Sequence, residues 1–231
     1  MVSRFFVVLL LTGVGAIFVS LMFGYVPDDA LNLTARYYAE NTVRDTGAAN
    51  IVAAIVVTFR GLDTLGEVTV LFLTAAIVGL VLAGSQQGRL RREQPAPGEL
   101  LVTGTRLLVP LTLLLGVYVF VNGHLTPGGG FQGGAILASA ILMLLLADPL
   151  REFSHQLISA IESISGLLFV AVGLLGMVYA GGFLDNRILP LGTLGDLISA
   201  GAIPVIYSFI GLKVGAEFSS MMVNLSETEE P

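Results

Sequence analysis

The sequence predicts an all-α, polytopic integral membrane protein of about six transmembrane helices, and three observations carry that prediction. Hydrophobic residues make up 55% of the 231 residues against 12% charged, a balance that separates membrane chains from soluble enzymes. Apolar runs recur at lengths that cross about 30 Å of hydrocarbon at 1.5 Å per helical residue. Most of the arginines lie between those runs rather than within them.

The first run, Phe5 to Val26, follows Arg4 as a signal peptide would. About twenty apolar residues exceed a signal core, and no small-residue cleavage site precedes Pro27, so it reads as a retained helix. The next stretch, "ANIVAAIVVTFRGLDTLGEVTVLFL", does not fit a single span. Asn50 to Ala83 is too long to cross straight and too short for a full hairpin. A short surface or re-entrant helix broken at Arg60-Gly61, followed by a span from Leu65 to Ala83, is the economical reading. The remaining spans run from Thr103 to Val121, Gly133 to Ala147, Leu157 to Ala180 and Leu197 to Val223.

Between the second and third spans, "AGSQQGRLRREQPAPGEL" mixes Gly, Gln, Pro and charge as a linker does. With the N-terminus inside, Arg4, the Arg89, Arg91 and Arg92 cluster and Arg151 fall on the cytoplasmic side. Both termini are then cytoplasmic. The net charge of −6 gives no nucleic-acid surface, and the acidic "SETEEP" reads as a solvated end. The absence of cysteine excludes disulfides and thiolate metal sites.

A glycine-rich stretch, "NGHLTPGGGFQGGAIL", joins two short apolar runs. Leu107 to Val121 and Ala135 to Ala147 reach the usual span length only if part of the connection lies at membrane depth, where glycine-interrupted helices mark transport sites. Alternatively the helices start at Arg106 or Phe131, and the glycines form a tight external turn. The sequence leaves both open.

Charges inside the apolar runs are the candidate ion-translocation residues. Lys213 lies deep in the last span, with Glu217 on the same helix face as an available partner. The plainer alternative is a lysine that reaches to the cytoplasmic headgroups. Gly211 and Gly215 flank it at a spacing that admits a close neighbour, and Pro204 is placed to kink the helix. Glu67 opens the second span with Asp63 one turn before it. The two suit a proton relay, or else join Arg60 in a network that fixes the helix entrance. Glu162 lies about a turn inside the fifth span. His124, beside the glycines, and His155 titrate in the range that passes protons, while a hydrogen-bonding anchor is the plainer role for each. Two histidines 31 residues apart supply no metal set, and no nucleotide-binding or nucleophile-base motif is present.

The runs "GHLTPGGGFQGGAI" and "LISAGAIPVIYSFIGLKVGAEF" together resemble the MnhB or MrpB family of Mrp-type multisubunit Na+/H+ antiporters. "NIVAAIVVTFRGLDTLGEVTVL" is similar to the C-terminal end of the large MnhA-type component, signature "DFRGxDTxGE", with Thr58 where an acidic residue is common. The same module occurs in membrane-bound hydrogenase and sulfur-reducing complexes. The resemblance implies an MnhA-tail-like unit at 1–84, a cytoplasmic linker at 85–99, an MnhB-like four-helix unit at 100–225 and an acidic tail at 226–231. It implies a cell-membrane transporter subunit, not an enzyme, with no cofactor and no catalytic residue. The partners implied are other membrane subunits, Na+ and H+, and the lipid bilayer, but no nucleic acid. Lys213 matches the family's intramembrane lysine and Glu67 the carboxylate of the MnhA-tail signature. The motif residues are Pro127, Gly128, Gly129, Gly130, Phe131, Gln132, Gly133 and Gly134, with Gly211 and Gly215. The alternative is a non-conducting scaffold in the antiporter module of a redox complex.

Overall fold

A computed structural model describes residues 2–25, 30–85, 97–149 and 151–228. Most of the expected linker, with Arg89, Arg91 and Arg92, and the end of the acidic tail lie outside the described residues. The chain divides into compact units at 1–37 and 38–231.

The first unit is dominated by α1, Val2–Gly24, whose apolar residues ring the whole helix circumference and are exposed. A helix apolar all round has no amphipathic face to bury in its own chain and suits a hydrocarbon or protein surround. Asn32 Oδ1 accepts from Ala35 N at 2.8 Å and caps α2, Leu33–Thr46, which runs on into the second unit. Hydropathy alone passes over α2 because its residues are mostly polar.

In the second unit the expected broken segment takes the form of α3, Ile51–Ala54, and a π-helical turn at Ile55–Phe59 that ends at Arg60. This segment is bent by 86° from α2. Asn50 caps α3 by accepting from Val52 N and Ala53 N. Thr64 donates to Val56 O at 2.5 Å, supplying a partner to a carbonyl of the wide turn. Then follow α4, Gly61–Ser85, α5, Glu99–Val121, α6, Gly130–Ala147, and α7, His155–Tyr179. A 3-10 turn at Asn186–Ile188 precedes α8, Ile203–Thr228.

All four helices α4 to α7 pack on α8. Gly79 meets Asn224, as Phe72 meets Lys213, so α4 runs parallel to α8. Gly130 meets Ile210, and Gly134 meets Val214, so α6 is parallel too. Gly166 meets Lys213, and His155 meets Glu227, so α7 is antiparallel. One end of the bundle therefore carries the 122–129 and 180–202 loops, and the other carries 148–154.

The last span begins later than expected. Ala200 (φ 60°) and Gly201 (φ 58°) adopt left-handed conformations that a helix cannot continue, so 197–202 is an ordered loop. Asn186 Nδ2 holds it by donating to Ala200 O at 2.9 Å and to Thr46 O at 2.7 Å. Pro204 consequently sits in the first turn of α8, where its missing N–H does no damage, and not at a mid-helix kink. Among the described residues five helices, α1 and α4 to α7, are each long and apolar enough to cross a membrane; the α2 and 51–59 pair would make six if counted as one bent span. The polar residues of α8 keep it out of that set, yet it is the helix the others enclose.

Candidate ion-translocation site

Lys213 is the eleventh residue of α8, so its Cα lies about 15 Å along an axis of about 39 Å, well inside the helix. Its Nζ approaches Glu217 Oε1 at 2.8 Å, one helical turn away. The lysine side chain is 9% exposed and the glutamate 0%. At that distance the ammonium is itself the donor to Glu217, and no other described group donates to either carboxylate oxygen. The Phe72 ring of α4 covers the ammonium at 4.9 Å from its centroid, a favourable face for a cation. Across the pair, a Cβ on Gly166 of α7 would stand 3.3 Å from Lys213 Cδ, so this glycine makes the space the lysine occupies. Lys213 is thus folded inward among its neighbouring helices and does not reach for a membrane surface.

The glycine-rich stretch divides in two. Residues 122–129 form the connection, whereas Gly130, Gly133 and Gly134 open α6 as close-contact positions. A Cβ on Gly133 would lie 2.7 Å from Gly116 O of α5, and one on Gly134 2.7 Å from Gly211 O of α8. Backbones at that distance leave no room for any side chain. Gly215 meets Gly134 O from the α8 side at 3.3 Å, so the Gly211 and Gly215 pair receives α6 as its spacing implied. Gly129 (φ 153°) brings the chain into the helix in a conformation few side chains adopt. Phe131 is half-buried, while Pro127 and Gln132 are exposed.

His124, beside the glycines at the loop end, is fully buried. Its Nε2 lies 3.3 Å from Asp196 O, and its Nδ1 lacks a well-aligned partner. Burial lowers its pKa below the ordinary histidine value, against the opposing pull of the Asp196 and Val121 carbonyls. Asn50 N donates to His124 O at 3.0 Å, and Asn50 Nδ2 donates to Gly123 O and Thr126 O. One asparagine thus caps α3 and pins the glycine loop. At the same end Asp185 pairs with Arg187; burial raises its pKa, and the guanidinium's hydrogen bonds and charge outweigh that and hold it below the usual carboxylate value.

The α4 carboxylates are not joined to this centre. Asp63 pairs with Arg60 at 2.5 Å on the surface. Glu67 is exposed on the outward side of α4, with no ion pair among the described residues. The three-residue network expected at the helix entrance is therefore only its Arg60 and Asp63 half. His155 binds Glu227 Oε1 at 2.9 Å. No group of three or more potential metal ligands occurs among the described residues.

Residues 100–220 match the family described as a domain related to the MnhB subunit of Na+/H+ antiporter. The chain belongs to this MnhB-related family. Lys213, Glu217, Glu162 and the glycine run all fall inside the matched stretch. Residues 3–103, which hold Arg60, Asp63 and Glu67, match the MbhE family, named for a component of MBH. The uncharacterized protein MJ1307 of Methanocaldococcus jannaschii is 32% identical over 204 residues, 77% of each chain. The B-type Na+/H+ antiporter subunit of Bacillus subtilis is 38% identical over 97 residues, 41% of this chain and 68% of that one. A probable K+/H+ antiporter protein of Rhizobium meliloti, of the combined A/B type, is 29% identical over 164 residues, 61% of this chain but only 16% of its own length. Among solved structures, an archaeal membrane-bound sulfane sulfur reductase contains a chain 38% identical, with TM-score 0.81 and full coverage of both. The Mrp complex from Dietzia sp. DQ12-45-1b contains one 29% identical, with TM-score 0.78, covering 99% of this chain and 26% of that one.

Four residues that shape the site were not among those the sequence singled out. Asn50, directly before an apolar run, carried a legible capping signal. Phe72, Gly166 and Asn186 carried none, because their contacts are made across helices and loops distant in sequence.

Proposed function

We propose that this MnhB-family chain is a membrane subunit of a multisubunit cation/proton antiporter and that Lys213 and Glu217 act on the proton or sodium route. The single observation that supports this reading is the Lys213–Glu217 ion pair enclosed within the helix bundle. Charges are expensive in hydrocarbon and persist there when they face a partner or an ion path. A fixed ammonium favours the charged form of neighbouring acids and so tunes proton release. Glu67, on the outward side of α4, acts in this reading at a contact with another subunit, with Asp63 beside it. His124 serves as a clamp on the glycine loop. The MnhA-tail-like unit at 1–84 and the MnhB-like unit at 100–225 contribute to different places in the assembly. The chain itself catalyses no chemical reaction, and it resides in the cell membrane with both termini cytoplasmic.

The test is sodium-dependent proton flux in vesicles at matched amounts of assembled complex. Lys213→Ala lowers exchange and shifts its pH dependence, and Lys213→Arg retains more activity because charge is kept. Unchanged flux and pH profile in the alanine variant refute the reading.

A second reading is a scaffold subunit in a redox-linked membrane complex, favoured by the full-length likeness to the sulfane sulfur reductase chain. Mild detergent extraction discriminates, since a soluble redox module among the co-purifying subunits points to this alternative.

A further inference from the structure

Glu162 of α7 belongs to no pair described above, and the helix register gives it a place. Gly166 abuts Lys213, and α7 runs antiparallel to α8. One turn back along α7 is Glu162, and one turn on along α8 is Glu217, so the two carboxyl groups come to the same level across the helix contact. Glu162 is close enough to act on Glu217 by charge. Glu217 is fully buried, and its Oε2 has no hydrogen-bond donor among the described residues. Glu162 is half-buried, about 10 Å along α7 from His155.

No further cation among the described residues balances the two acids. Toward the pair α4 presents Phe72, while its Asp63 and Glu67 are exposed on other sides. Glu99 and Arg106 of α5 are exposed, and α6 carries no charged residue. His155 of α7 is taken by Glu227 at the bundle end. One ammonium thus stands against two carboxyl groups, Glu217 fully buried and Glu162 half-buried, and two carboxylates at close quarters do not both stay ionised without compensation.

We propose that Glu162 and Glu217 share one exchangeable proton across the α7–α8 contact, that Lys213 balances the remaining carboxylate, and that Glu162 exchanges the proton with the bundle end where α7 begins. In the transfer, the O–H bond at Glu217 breaks as one forms at Glu162. Glu162 then gives the proton to water and is left ionised beside the Lys213-balanced Glu217 carboxylate, until water returns a proton to Glu162 and the pair shares it again. No electrons leave the site. The use of the proton in transport rests on the antiporter reading, but its presence between the two acids does not.

The test is infrared difference spectroscopy of the assembled complex in H2O and D2O at neutral pH, beside vesicle flux. Wild type shows a deuterium-sensitive carboxylic-acid band that disappears in Glu162→Gln, in Glu217→Gln and, to the same single extent, in the double variant. Lys213→Met adds a second such band, because both acids are then neutral. Glu162→Gln also lowers sodium-dependent proton flux several-fold, and Glu162→Asp keeps the band and most of the flux with a displaced pH profile. A band that survives Glu162→Gln overturns the proposal, as does its loss in Glu162→Asp. A band that behaves as described while flux and pH profile stay unchanged in Glu162→Gln overturns exchange through Glu162. If wild type exchanges no sodium for protons, the antiporter reading fails while the infrared result still judges the shared proton.

Discussion

Replacing Lys213 by methionine removes the ammonium while keeping most of the stem that packs against Gly166. At 2.8 Å and an effective dielectric near 20, the attraction lost with Glu217 is about 6 kcal/mol. The variant does not bear all of that, because Glu217 has an escape in taking a proton. That costs about 1.4 kcal/mol for each pH unit above the ordinary glutamate value of about 4.3. The penalty is therefore capped at about 2 kcal/mol at pH 5.5 and about 5 kcal/mol at pH 8, the latter at the top of the range of about 3–5 kcal/mol for removing one partner of a buried pair. The sign follows from proton counts: the folded variant holds one more carboxyl proton than the folded wild type, whereas the unfolded chains do not differ in theirs, so the deficit grows as pH rises. Thermal midpoints of wild-type and variant complex, taken side by side at both pH values, should differ by about 4–8 °C at the lower pH and about 10–20 °C at the higher. Adding Glu217→Gln removes the stranded charge and with it the pH dependence. A deficit equal at the two pH values, or none, would refute the reasoning, because it would mean that Glu217 reaches water or another cation.

At the loop end, His124 is held neutral by burial, so the unfolded chain binds more protons than the folded one below the ordinary histidine value of about 6.5. Its contribution is complete above that pH and is lost as pH falls toward the lowered folded value; His124→Gln should flatten this part of the thermal midpoint against pH curve. Gly134→Val should fail to assemble or melt well below wild type, since its branches meet the Gly211 carbonyl and Val214, while Gly98→Val, with nothing near it, should be neutral in immunoprecipitated yield. Single cysteines at Glu152 and Leu194, both exposed and at opposite bundle ends, should label from opposite sides of the membrane, Glu152 from the cytoplasm; labelling from one side contradicts the topology. Cutting the chain between Gln87 and Glu99 and co-expressing the halves should still yield both with the same partner subunits, and recovery of only one would count against the two-unit reading.

The sequence showed most where one residue type decides the matter alone. Continuous apolar runs marked α1 and α4 to α7, since hydrocarbon admits little else. A lysine in the last run called for a partner, and Glu217 one turn away was visible as that partner. What stayed hidden depends on backbone conformation and on contacts between distant segments. The left-handed residues Ala200 and Gly201 delay α8, yet nothing about an alanine announces a positive φ. The glycine run read equally well as a turn or as a membrane-depth segment because both demand small residues. Its actual division at Gly130 follows from the approach of α5 and α8, which no local pattern encodes. Glu67 and Lys213 looked alike as intramembrane charges, but one faces outward and the other inward, a distinction of helix rotation alone.

The enclosed position of α8 bears on how the protein is made. A charged residue at the centre of a helix disfavours its insertion by about 2.5–3.5 kcal/mol, and α8 carries two near its middle. It also leaves the ribosome after the four helices that wrap it. The four helices that wrap it are each apolar enough to enter the bilayer unaided. They can therefore wait in the membrane as an open cup, and α8 becomes stable there only by sliding in and closing it. Ion-pair formation then follows the insertion of those four helices, and a chain interrupted before Ile203 presents its glycine-lined faces to whatever neighbour arrives first.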